Sequence, residues 1–140
     1  MCPASASPPD PNPRRPDFRT PAGACDCHAH VFGPPDRFPY VEQHSFTPPD
    51  AVVETYLRML DTIGVERAVL VQGSVHGTDS RAVARAVSSA PGRLRGVAVI
   101  GPDTPEAEIR ALHAQGFRGT RLIHGGQGHA GVRAPGNHCR

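Results

Sequence analysis

From residue 23 to residue 123 the chain repeats one pattern: a short apolar strand, a loop, a capped amphipathic helix and a glycine. The repeat unit is about 25 residues, and strands alternating with amphipathic helices predict a parallel sheet covered by helices. "AGACDCHAHV" reads as the first strand. "TPPDAVVETYLRMLDTIG" reads as a helix, with Thr47 as N-cap, Pro48 at its first position and Asp50 at its positive end. Val52, Val53, Tyr56, Leu57, Leu60 and Ile63 form one apolar stripe, and Gly64 stops it. "ERAVLVQ" is a buried strand, followed by the loop "GSVHGTDS" and the helix "SRAVARAVSSA", which halts at Pro91-Gly92. "RLRGVAVI" is the third strand, Thr104 and Pro105 open the helix "PEAEIRALHAQ", Gly116 closes it, and "FRGTRLI" is the fourth strand.

Units of this kind build either an open doubly wound sheet or a (β/α)8 barrel. No Gly-x-Gly-x-x-Gly follows the first strand, which counts against a dinucleotide fold. The expected fold class is therefore α/β: a partial TIM (β/α)8 barrel of about four β-strands with three helices. A complete barrel takes about 250 residues. After Ile123 the chain turns into "HGGQGHAGVRAPGNHCR", with no periodic pattern. The expected organisation is a disordered Pro-rich arm over 1–22, half of a barrel over 23–124 and an irregular tail over 125–140, as in a truncated product.

Composition narrows the function classes. The first 21 residues carry seven prolines and no apolar periodicity, so they bury too little to offset the entropy of folding. They contain no apolar h-region, and no membrane-spanning run follows, so no membrane partner is expected. Of the cysteines, Cys2 and Cys139 lie near the ends, while Cys25 and Cys27 sit too close along one strand for an ordinary disulfide. A reduced, cytoplasmic setting fits this usage. The net charge of +2 comes without a basic block or a stacking set, so no nucleic-acid partner is expected. All fifteen basic residues are arginine, which excludes a lysine Schiff base, a P-loop lysine and a carbamylated-lysine metal bridge within this chain.

The chemistry centres on "CDCHAHVFGP". In a regular strand Asp26, His28 and His30 project from one face, two imidazoles about 6–7 Å apart can converge on one ion, and a neighbouring carboxylate can orient a ligand histidine. The bland alternative is one histidine in a core network and the other in water. Ser74 and His76 follow the second strand, and Arg121 and His124 close the fourth, so polar groups from three strand ends share the carboxyl rim where α/β folds place ligands. Gln72, Ser74 and His76 can equally be plain loop residues. Arg121 suits a substrate carboxylate or an ordinary salt bridge. A small zinc module of Cys25, Cys27, His28 and His30 requires a broken strand, since neighbouring side chains point to opposite faces.

The run "GACDCHAHVFGP…FPY…FTPPDAVVETYLRMLDTIGVERAVLVQGSVHGTD…GFRGTRL" resembles the amidohydrolase-related family, and within it the 2-pyrone-4,6-dicarboxylate lactonase branch. The resemblance covers about residues 22–123 and only the first half of the family's barrel. It implies that His28 and His30 are catalytic, as ligands of one divalent metal such as zinc or, without any metal, as groups that hold the lactone carbonyl. It implies that Ser74 and Arg121 bind substrate, a small carboxylated lactone. The family's later histidine and its water-activating aspartate have no counterpart here. Phe46 stands where a substrate-binding tyrosine is expected, and Gln127 near where an arginine is. Such a chain is expected to be inactive alone and to self-associate through exposed sheet edges. A non-catalytic remnant is the alternative.

Overall fold

The computed structural model describes residues 4–5, 7–42, 44 and 46–121. His124, Gln127, Cys2, Cys139 and the tail over 125–140 lie outside the described residues. The strands are β1 (Ala4–Ser5), β2 (Cys25–Ala29), β3 (Phe46–Thr47), β4 (Arg67–Val71), β5 (Leu94–Ala98) and β6 (Phe117–Thr120). The helices are α1 (Val53–Ile63), α2 (Arg81–Ser89) and α3 (Glu106–Ala114). A four-stranded parallel sheet runs β2-β4-β5-β6, with β1 and β3 pairing as a separate parallel ribbon. Each crossover in the main sheet carries one helix, as βαβ units demand. Within the described residues β2 and β6 each keep one open edge.

One face of this sheet is dry. Ala68, Leu70, Leu94, Ala98 and Phe117 from the strands pack with Leu60 of α1 and Val83, Ala86 and Val87 of α2. The alternate residues Val69, Arg95 and Val97 point to the other face and stay half-buried. Helix α1 ends on Gly64, whose φ of 77° is left-handed and whose N–H returns to Leu60 O. No helix among the described residues is long and apolar enough to cross a membrane.

Helix α1 departs from its expected start. It begins at Val53 rather than Pro48, Val52 takes the N-cap position without a side-chain cap, and Thr47 lies in β3 opposite Ser5. The reason is tertiary: Phe32 and Ala51 exchange two backbone hydrogen bonds of 3.0 Å each, which hold the residues before the helix extended. Similarly, Thr104 does not cap α3. Its hydroxyl accepts from the Gly101 N–H at 2.9 Å, and Pro105 precedes the first helical residue.

The core layer should behave as a packed interior. Leu70→Ala, at a fully buried position, is expected to cost about 2–5 kcal/mol. Ile109→Ala, at a residue 43% exposed, should stay within about 1 kcal/mol of the parent. Urea unfolding of both variants checks the contrast, and equal costs would contradict the assignment of faces.

Candidate active site

The site residues owe their directions to an irregularity in β2. Its register against β4 steps from Asp26↔Ala68 to Ala29↔Leu70, so two residues of β2, Cys27 and His28, lie opposite the single residue Val69. Such a bulge breaks the two-residue alternation and re-aims the side chains within it. The expectation that Asp26 shares a face with the two histidines is overturned. Asp26 pairs beside Ala68, a core residue, and its carboxylate accepts a hydrogen bond from Tyr56 Oη on α1 at 2.8 Å. Its other oxygen accepts the His28 backbone N–H at 3.1 Å. Burial, and then the bond to Asp26, raise the Tyr56 hydroxyl far above the usual phenol range, so it remains a donor.

His28 and His30 meet each other. Their ring centroids are 5.1 Å apart, edge to face at 89°. The His30 Nδ1–H donates to Val71 O at 2.7 Å, because a carbonyl can only accept. A neutral His30 therefore carries its lone pair on Nε2. Burial holds this imidazole below its ordinary pKa, and the charges of His28 and Arg121 act the same way, against the hydrogen bond to Val71. The aromatic neighbour of His30 is Phe32, at 5.7 Å.

The next carbonyl along the chain holds the arginine. Arg121 donates from Nη1 to Gln72 O at 3.2 Å, and its backbone N–H donates to Ala98 O at 2.7 Å. His30 and Arg121 are thus anchored on consecutive carbonyls, Val71 and Gln72, at the carboxyl end of β4. Ser74 opens a short 3-10 turn, Ser74–His76, and is half-buried. Gly73 admits Phe32 beneath this turn, since a Cβ there would lie 2.4 Å from Phe32 Cε1.

His76 does not join the rim. It is 2% exposed, stacks on Phe32, meets Tyr40 at a tilt of 60°, and its Nδ1–H donates to Pro39 O at 3.4 Å. It is a core histidine that fastens the loop at Pro39 and Tyr40. Phe46 sits against Phe32 with centroids 6.2 Å apart. Gln72, wholly buried, was the residue most undervalued in the sequence. The available signal was a polar amide closing the apolar run "AVLV".

Two imidazoles supply fewer ligands than the three or four protein groups of a zinc site. Among the described residues no group of three or more His, Cys, Asp or Glu is placed to hold a metal ion, so Cys25 and Cys27 do not complete a set with the histidines. The donor set described does not make a metal site by itself.

Polar side chains gathered at the carboxyl ends of parallel strands are the arrangement of (β/α) barrel enzymes. The family model for amidohydrolases matches residues 25–136, and the chain belongs to that family. Over 111 residues it is 43% identical to a 2-pyrone-4,6-dicarboxylate hydrolase of Comamonas testosteroni, a match covering 79% of this chain and 36% of that protein. Over 105 residues it is 41% identical to a 4-sulfomuconolactone hydrolase of Rhizobium radiobacter, covering 75% and 35%. The fold resembles the crystal structure of a probable 2-pyrone-4,6-dicarboxylic acid hydrolase from Acinetobacter baumannii with citric acid bound. That match has a TM-score of 0.68 and 36% identity, over 71% of this chain and 37% of that one. The chain spans about a third of the length of the curated relatives it matches. Its sheet and helices correspond to part of a TIM barrel.

The buried state of His76 has a measurable consequence. Burial holds its imidazole below the ordinary value, partly opposed by the Pro39 hydrogen bond and the Asp79 charge. The unfolded chain then binds more protons below about pH 6.5, so stability is present above that pH and is lost as pH falls toward the folded value. His76→Phe should lose less stability than the parent between about pH 7 and pH 5 in urea titrations. An identical pH slope would contradict a neutral, buried His76.

Proposed function

We propose that this chain carries one half of a lactone-hydrolysing site, acting on a small cyclic ester that bears carboxylates. The observation that carries the reading is the shared anchorage of His30 and Arg121 on the carbonyls of Val71 and Gln72, with His28 beside them. It is supported by the names of the related proteins, a 2-pyrone-4,6-dicarboxylate hydrolase and a 4-sulfomuconolactone hydrolase. Residues 23–124 form the barrel portion in this reading, with 1–22 an arm outside it.

Hydrolysis of a lactone adds water to the ring carbonyl and places negative charge on its oxygen. Among the described residues the Arg121 guanidinium gives one of its five donors to Gln72 O, which leaves donors for a substrate carboxylate. Ser74 Oγ, on the adjoining turn, supplies a hydroxyl donor to the same anion. His30, neutral and bare at Nε2, accepts a hydrogen bond from the attacking water rather than donating one to the carbonyl. His28 is the ring free to donate toward the developing oxyanion. No step here runs through a metal ion.

A carboxylate base is not among the groups described at this rim. The carboxylates nearest these residues in sequence are both engaged: Asp26 with Tyr56, and Asp79 with Arg81 at 2.6 Å. The purified chain is therefore expected to bind a dicarboxylated lactone weakly and to show no turnover at an ordinary enzymic rate. Steady-state assay with 2-pyrone-4,6-dicarboxylate checks this, and measurable turnover would overturn it. Arg121→Met should weaken binding of the same compound by about tenfold or more, as loss of a charged hydrogen bond does. In a chain extended by further barrel strands, His28→Ala or His30→Ala should lower kcat/KM by at least about a hundredfold. Little change in either variant would mean that the two imidazoles are structural.

A further inference from the structure

We infer that Gln72 is a positioning residue that fixes Arg121 and the Ser74 turn relative to each other, an inference that rests on the anion-binding reading of those two groups. Where a parallel ladder ends, backbone groups beyond the last pair lose their partners. Here the rim has two such groups, the N–H of Val99 after β5 and the C=O of Gly77 after the 3-10 turn. The side chain of Gln72 meets both. Its Oε1 accepts from Val99 N–H at 3.0 Å, and its Nε2 donates to Gly77 O at 2.7 Å. The two partners also fix which way the amide faces, since one can only donate and the other only accept. Its own N–H donates to Val97 O at 2.9 Å, and its own C=O accepts from Arg121. One wholly buried residue therefore bonds to β5's end, to the turn and to the arginine beyond β6. Of the side chains of this length, the amide alone keeps both an acceptor and a donor at every pH.

Amide and guanidinium hydrogen exchange by NMR on the 140-residue chain tests this without any substrate. In the unaltered chain the Val99 amide should be protected like the ladder amides of Ala68 and Gly96. Gln72→Leu should speed exchange at Val99, His76, Gly77 and the Arg121 guanidinium by at least about tenfold, with Ala68 and Gly96 unchanged. Gln72→Glu keeps the acceptor in either charge state and a donor only while its carboxyl is protonated, so Val99 should stay protected throughout while His76 and Gly77 are released as the pH is raised and the carboxyl ionises. A Val99 amide that exchanges at the rate of an open loop overturns the inference, and so does uniform loss across all these amides in a folded variant. If Gln72→Leu fails to fold, Val99 in the unaltered chain and the Gln72→Glu pattern decide. Failure here leaves the lactone reading standing, whereas intact protection with no lactone binding sinks that reading alone.

Discussion

Two residues of β2, Cys27 and His28, set against one of β4, Val69, decide where the polar groups of this sheet end up. Without the extra residue, alternation would send Asp26, His28 and His30 the same way. With it, Asp26 turns to Tyr56 on α1 while the two imidazoles meet each other, and the His30 ring reaches the Val71 carbonyl. The local disruption of the ladder is held by the flanking pairs, Cys25 with Arg67 and Asp26 with Ala68 below it, and Ala29 with Leu70 above. Bulges of this type recur beside active sites because they redirect a side chain without unpairing a strand.

Electrostatics follows from that placement. Burial first, and then the charges of His28 and Arg121, disfavour protonation of His30. The imidazole is thus an acceptor at Nε2 and the arginine a fixed donor, two complementary groups suspended from neighbouring peptide carbonyls. The two carboxylates nearest these residues in sequence are each paired with another side chain, Asp26 with Tyr56 and Asp79 with Arg81.

Much of this architecture is legible in the residues. Apolar alternation in "RAVLV" and "LRGVA", the stripe of α1 and the stop at Gly64 report local forces, and local forces place β4, β5 and α1's end where the sequence puts them. The beginning of α1 was not legible, because Thr47-Pro48 carries a cap signal that the distant Phe32–Ala51 pairing overrides. The bulge was not legible either, since a strand's register depends on its partner rather than on its own alternation. The role of Gln72 was hidden for the same reason. A glutamine after four apolar residues shows that something polar is buried, but the Val99 and Gly77 groups it serves lie on segments that only folding brings near.

The most direct test is the tautomer of His30, read from the 15N shifts of its ring nitrogens at neutral pH, with His30→Asn to assign the signals. A protonated Nδ1 and a bare Nε2 are the result predicted by anchorage on the Val71 carbonyl. A bare Nδ1 with the proton on Nε2 would mean that the ring is not held there, and the arrangement of the whole rim would have to be abandoned.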